Sequence, residues 1–444
     1  NGMSPDRATI VSVLEACSHE SALPEGKQLH SHIKNSFLEI DSVIGSALVN
    51  FYGKCGSLED AKEIFENVTN STVVIWTTMV SAYIQHLQYD NAIQVFDQMN
   101  QKGILPDKFA FSTILSACLG QRALVLGKRF HTCILGSTSK SEVTIGNALV
   151  SMYGRCGSLI EAGNVFKELL NQTVVSWTAM MSACTQSGQP KRAFHYYEQM
   201  VLDGVQANKL TFATLFDACA SLAALTEGNY FYTLLVVDGI DPDVILATAL
   251  INLYSRCGYV KDSQRVFDRM PKRNVALWNS IIAAYYRQGD INQVCNLFQQ
   301  MQKENIKPDE ITFLSIISSF SHAGLVDEAY NYLNSMVYDH GLTPTIEHYN
   351  CMIDLFGRAG CLDKVEGMLA KSPFEATLHS FMSSLNACKV HLDVERGERV
   401  MMAMLKLPPA SKAPQVLMSN IYAAAGRFED ASLPMTGKER KLSF

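Results

Sequence analysis

The chain has 444 residues, 48% of them apolar, and a formal net charge of −6. No run of about 18 uncharged apolar residues occurs, so no membrane-spanning helix is expected, and the acidic total argues mildly against the strongly basic surface of many nucleic-acid-binding domains. Its 12 cysteines form no compact disulfide framework. Most sit beside Ala or Ser at helix-interior positions, as in Ala16-Cys17 and Ala117-Cys118, and read as reduced, buried thiols.

Asn1-Gly2 opens the chain without an initiator Met and already inside a repeat, as expected of a fragment or a processed form. From there one interval governs the sequence. Trp76, Trp177 and Trp278 are 101 residues apart, and so are Cys17, Cys118 and Cys219; Tyr52, Tyr153 and Tyr254; Cys55, Cys156 and Cys257; and Met99, Met200 and Met301. A repeat array displaces the usual division of such a length into separate globular domains, because each repeat packs only on its neighbours. The period subdivides into 35, 35 and 31 residues. In chain order the repeats are 7–41, 42–72, 73–107, 108–142, 143–173, 174–208, 209–243, 244–274, 275–309, 310–345 and 346–377. Two further helix pairs are expected over about 378–411 and 412–444, and Pro434 to Phe444 loses the pattern as a frayed end or a truncated last helix.

Each repeat carries two apolar helical stripes. In 174–208 the first is Trp177, Met180, Met181 and Cys184, and the second is Ala193, Tyr196, Tyr197 and Met200. Gly188-Gln189-Pro190 stops one helix and starts the next, and Asp203-Gly204 ends the pair. No alternating strand pattern competes. The expected fold is all-α: antiparallel helix-turn-helix pairs stacked into a right-handed superhelical α-solenoid with a long concave groove. The three tryptophans read as core.

The segments "NALVSMYGRCGSLIEAGNVF", "VVSWTAMMSACTQSGQPKRAFHYYEQM" and "KPDEITFLSIISSFSHAGLVDEAYNYLNSM" resemble plant pentatricopeptide repeat proteins, in the subclass that alternates standard, long and short repeats. The tail, "LNACKVHLDVERGERV" and "VLMSNIYAAAGRFEDA", resembles the two extension motifs of organellar RNA-editing factors. The resemblance implies an array of about 11 repeats over 1–377 and two degenerate extension repeats over 378–444. It further implies binding of single-stranded RNA at one base per repeat, selection of cytidine-to-uridine editing sites, and a deaminase recruited in trans through 378–444. It places the protein in a mitochondrion or chloroplast, the mitochondrion favoured. DNA and membrane are not expected partners. The tetratricopeptide family differs: its Trp-x-x-Leu-Gly-x-x-Tyr signature is missing here, and 31-residue repeats are too short for it.

By the same resemblance, the fifth residue of a repeat and its last residue read one base. A small polar pair presents donors and acceptors that match a base edge. The pairs are Ser46 with Thr72 (a purine), Thr77 with Asp107 (G), Asn147 with Thr173 (a pyrimidine) and Thr178 with Asn208 (A). Further along come Thr248 with Asn274 (A), Asn279 with Asp309 (U) and Asn350 with Thr377 (a pyrimidine). The long repeats depart from the pattern, with Val11, Ser112, Ala213 and Leu314 at the fifth position, and read as spacers. The implied target is n-R-G-n-Y-A-n-A-U-n-Y, with the edited cytidine four nucleotides beyond the last Y. Ser, Thr, Asn and Asp at helix starts are also ordinary N-caps, and both roles stay open.

The second residue of the standard repeats, Val74, Val175 and Ala276, is implied to wedge between bases; packing is the alternative. Lys54, Arg155, Arg256, Arg287 and Arg358 recur at the thirteenth position and suit phosphates, or else the C-terminal ends of helices. Gln85 and Gly120 interrupt that stripe.

Nucleobase deaminases need His-x-Glu with Cys-x-x-Cys, and the chain has no Cys-x-x-Cys. It has no phosphate loop or Gly-x-Ser-x-Gly either. No catalytic residue, metal or cofactor is expected. The competing readings are an RNA stability, splicing or translation factor, and a peptide-binding helical scaffold.

Overall fold

The computed structural model describes residues 6–20, 22–35, 41–68, 71–120, 123–137, 142–371, 377–404 and 413–427. Among them are 25 α-helices and no strand. They fall into two compact units, Asn1–Leu222 with Thr226–Ile240, and Ala223–Leu225 with Asp241–Phe444.

The first unit holds α1 (Arg7–Glu20) and α2 (Leu23–Asn35), α3 (Ser42–Lys54) and α4 (Leu58–Asn67), α5 (Val73–Gln85) and α6 (Tyr89–Gln101), and α7 (Lys108–Ser116) and α8 (Leu124–Leu135). It continues with α9 (Val143–Arg155) and α10 (Leu159–Glu168), α11 (Val174–Gln186) and α12 (Pro190–Leu202), and α13 (Lys209–Leu222) and α14 (Leu225–Val237). The second unit holds α15 (Val244–Arg256) and α16 (Val260–Arg269), α17 (Val275–Gln288) and α18 (Ile291–Lys303), and α19 (Glu310–Ala323) and α20 (Val326–Tyr338). It ends with α21 (Ile346–Arg358) and α22 (Leu362–Lys371), α23 (Leu378–His391) and α24 (Val394–Met404), and α25 (Ala413–Ala424). The first helix of each repeat begins at the repeat's first residue. Pro434 to Phe444 lies outside the described residues.

Helix starts follow from side chains that satisfy free backbone amides. Asp41 accepts from the Val43 and Ile44 amides at 3.0 Å each, and Asp243 accepts from those of Ile245 and Leu246 at 3.1 Å each. Within the first unit α3 packs on α5, α5 on α7, α7 on α9, α9 on α11 and α11 on α13. Each even-numbered helix from α4 to α12 lies against its own partner and the next odd-numbered helix. The second unit repeats the scheme from α15 to α25. Each unit is thus an all-α stack of helix-turn-helix repeats.

The recurring aromatic residues form the joints. Trp76, Trp177 and Trp278 are buried to 1%, 3% and 0% exposure. Each meets the Phe of the preceding helix edge-on: Phe65–Trp76 at 4.6 Å, Phe166–Trp177 at 4.8 Å and Phe267–Trp278 at 4.7 Å between centroids. Close approach between repeats depends on a missing side chain. A Cβ on Gly154 would lie 2.4 Å from Ala183 Cβ and 2.6 Å from Ala183 Cα. All 12 cysteines are free thiols, and burial pushes the Cys118 and Cys184 thiols up to about 11.

Four non-glycine residues, Leu87, Ala223, Asn305 and Leu392, have positive φ among the described residues, and the first is the clearest case of strain. Leu87 joins α5 to α6 at φ 60° and is exposed, while the residues 101 and 202 further on are Gly188 and Gly289 at φ 73° and 79°. A leucine in the left-handed region costs about 1–2 kcal/mol. Leu87→Gly is expected to stabilise the first unit by about 1 kcal/mol. A calorimetric midpoint that stays put or falls would refute that.

Candidate nucleic-acid interface

Within a repeat, three positions near the start of its odd-numbered helix are of interest: the second and fifth residues, and the last residue, which precedes the next odd-numbered helix. In repeat 73–107 they line one hollow. A cavity of about 320 Å³ is bounded by Asn50, Val74, Thr77, Thr78, Ser81, Asp107, Phe109 and Thr113. Val74 and Phe109, the second residues of successive repeats, are 56% and 62% exposed. An exposed apolar side chain on either side of a polar pair has the form of a slot for a flat, polar-edged group such as a base.

Exposed apolar residues at the second position extend beyond the standard repeats. In the first unit they include Val43, Val74, Phe109, Val175 and Leu210, and in the second Ile245 and Ile311. Ala276 is exposed as well. Val43, Phe109, Leu210, Ile245 and Ile311 were missed from the sequence. Their signal was apolar character at a helix start, away from the buried stripe.

The last residues do cap. Asp107 accepts from the Ala110 amide at 2.8 Å, Asn208 from Thr211 at 3.0 Å, Asn274 from Leu277 at 3.0 Å, Asp309 from Thr312 at 2.9 Å and Thr377 from Ser380 at 3.3 Å. In the Asp and Asn caps one oxygen is engaged and a second polar atom of the side chain is left over, whereas Thr377 uses its one hydroxyl on Ser380. Thr72 instead faces the Ser42 hydroxyl at 2.7 Å, and Thr173 faces Ser176 at 3.3 Å.

The fifth residues divide into two sorts. Ser46, Thr77 and Thr248 donate to carbonyls of their own helix, those of Ser42, Val73 and Val244, at 2.6, 2.8 and 2.7 Å. Asn279 donates its amide N–H to Asp309 Oδ1 at 2.9 Å, so this pair is joined before any ligand arrives. Asn350 accepts from the Ser380 hydroxyl at 2.6 Å, and Thr178 shares a hydroxyl contact with Thr211 at 3.0 Å. Thr178 and Asn279 are buried. Asn147 Oδ1 is buried without a hydrogen-bond partner, an acceptor whose desolvation a donor from a ligand would offset.

The thirteenth-position cations also divide. Lys54 and Arg256 are exposed. Arg155 donates to the Leu115 carbonyl at 3.1 Å, Arg287 to the Ser255 hydroxyl at 3.1 Å, and Arg358 to the Ser321 carbonyl at 2.7 Å. Each of these three guanidinium groups ties its repeat to the one before. Among the described residues no cluster of His, Cys, Asp and Glu could hold a metal ion, and no helix is long and apolar enough to cross a membrane.

Stacked helix pairs with polar residues at one recurring end define a helical-repeat protein. Comparison with known proteins narrows the class. The PPR repeat family matches residues 71–120, 172–221 and 273–322, and the PPR repeat matches 46–71, 147–173, 246–275, 311–340 and 347–371. A putative pentatricopeptide repeat-containing protein of Arabidopsis thaliana, named mitochondrial, is 34% identical over 95% of the chain and 67% of its own length. The chain belongs to the pentatricopeptide repeat family. It spans 44% of the length of another Arabidopsis thaliana member, which is 33% identical over 98% of the chain. A third member from that plant is named chloroplastic. Among solved structures, the pentatricopeptide repeat protein PPR10 in complex with an 18-nt psaJ RNA element superposes with a TM-score of 0.54 at 18% identity, covering 97% of this chain and 73% of that one.

Proposed function

We propose that the protein binds single-stranded RNA one base per repeat, and that it selects cytidine-to-uridine editing sites in organellar transcripts. The hollow between Val74 and Phe109, with Thr77 and Asp107 in its lining, carries this reading. Family membership supports it, since such repeats read one base each through two or three side chains. Relatives named mitochondrial or chloroplastic support an organellar site of action. Residues 378–444 are the surface for a deaminase acting in trans. A role in transcript stability, splicing or translation uses the same RNA surface, and transcript sequencing in a knockout separates it: lost edits with intact splicing favour editing.

The binding test is an unbiased selection of oligonucleotides by the purified chain. Enrichment of n-R-G-n-Y-A-n-A-U-n-Y is expected, with affinity that falls as salt rises because phosphate contacts release counterions. No enrichment of G opposite 73–107 and of U opposite 275–309 would defeat the base assignments. Salt-independent binding of a peptide in place of RNA would support a peptide-binding scaffold.

A further inference from the structure

In six of the seven repeats with a polar fifth residue, the third residue of the following repeat distinguishes the two sorts; 143–173, with Asn147, is the exception. After 73–107 that residue is Ala110, after 244–274 it is Leu277 and after 42–72 it is Ile75. None has a side-chain polar group, and in these three repeats the fifth residue bonds its own helix. After 174–208, 275–309 and 346–377 it is Thr211, Thr312 and Ser380, all buried, and in these three a hydroxyl stands between the reading residues.

The contacts in 275–309 are the fullest. The Thr312 hydroxyl lies 2.6 Å from Asn279 Oδ1 and accepts from the Asp309 amide at 3.2 Å. Asp309 Oδ1 takes the Thr312 amide and the Asn279 amide N–H at 2.9 Å each, and it also lies 2.9 Å from the Thr312 hydroxyl, whose one proton is shared between it and Asn279 Oδ1. The Asn279 N–H on Asp309, with the Thr312 hydroxyl beside the Asn279 carbonyl, gives the amide a single favoured orientation. One Asn279 N–H and Asp309 Oδ2 remain, a donor beside an acceptor. Uracil offers the complement, a carbonyl beside its ring N–H. Cytosine sets an amino group against the donor and a bare ring nitrogen against the carboxylate. In 174–208 the Thr211 hydroxyl lies 3.1 Å from Asn208 Oδ1 and 3.0 Å from the Thr178 hydroxyl, which leaves the Asn208 NH₂ to donate. Ser380 joins Asn350, at 2.6 Å, to Thr377, at 2.9 Å. Ser176 stands at the same position after 143–173, but its hydroxyl faces Thr173 alone.

We infer that Thr211, Thr312 and Ser380 are positioning residues for base readout: each fixes the hydrogen-bonding state of the reading pair in the repeat before it and so sharpens that repeat's choice of base. The inference rests on the base-reading assignment of the fifth and last residues. It predicts that repeats followed by an apolar third residue discriminate less sharply.

The test uses the full chain and RNA probes that differ only at the nucleotide opposite 275–309. The unmodified chain is expected to prefer U over C. Thr312→Val keeps the shape of the side chain and removes its hydroxyl, and the U-over-C ratio is expected to fall about fivefold, the worth of one neutral hydrogen bond. Thr312→Ser restores the hydroxyl and should restore the ratio. Circular dichroism checks folding, and Thr211→Val, read with A and G probes opposite 174–208, serves if Thr312→Val unfolds. An unchanged ratio in a folded Thr312→Val variant overturns the inference, as does an equal loss of affinity for both probes, which is the mark of a merely structural role. A chain blind to that base before any substitution overturns the base-reading assignment, and this inference with it.

Discussion

Trp278→Ala is expected to destabilise the second unit by about 3–5 kcal/mol, the cost of truncating a buried tryptophan. The ring is fully buried and packs edge-on to Phe267 at 4.7 Å. The Arg273 guanidinium lies 4.6 Å from the Phe267 ring and 5.9 Å from the Trp278 ring, covering the pair from outside. The surrounding cluster includes Leu277, Ile281, Met301 and Phe313, so the void would open in the centre of a packed joint. The indole Nε1 has no hydrogen-bond partner, so its loss leaves no polar atom stranded. Trp278→Phe should therefore cost well under half as much as alanine. Denaturant titration measures both, and equal midpoints for Trp278→Ala and the unmodified chain would contradict the packing account. Asn279 follows Trp278 in the helix, so the alanine variant should also lose U selection before it loses all RNA binding.

Thr77→Asn should move the base preferred opposite 73–107 from G towards U. The substitution recreates at 77 and 107 the pair found at 279 and 309, since Asp107 already caps its helix as Asp309 does. The exchange of preference should be about tenfold or more, given about 1–3 kcal/mol for a good two-bond base contact. The hydroxyl that Thr77 now commits to the Val73 carbonyl disappears, and the new amide is free to turn. Ala110 offers it no hydroxyl, so the switch should be less complete than the discrimination proposed for 275–309. Competition between probes carrying G or U at that nucleotide measures the change. An unaltered ratio would show that the fifth residue does not read the base.

The stacked helix pairs were legible because one interval carries several residue types, and packing tolerates little variation at a joint such as Phe267–Trp278. Helix starts were legible because Asp, Asn and Thr satisfy backbone amides there. The core assignment of the tryptophans followed from their place in an apolar stripe. Other features needed coordinates. Arg155, Arg287 and Arg358 announce a charge, yet nothing in the sequence says that carbonyls or a hydroxyl of the preceding repeat lie within reach. The roles of Thr211, Thr312 and Ser380 were hidden for a related reason. Each belongs to one repeat and acts on the pair of another, so a reading taken repeat by repeat passes over it.

The bare flanks at Gly53 and Gly154 have a mechanical corollary. With hydrogen in place of a methyl, α3 meets α5 and α9 meets α11 at hard van der Waals contact, where an added Cβ would come within 2.8 and 2.4 Å of an alanine Cβ. Repulsion rises steeply below that separation, while attraction fades gradually above it. A side chain added at either glycine would therefore have to push the two helices of that joint apart.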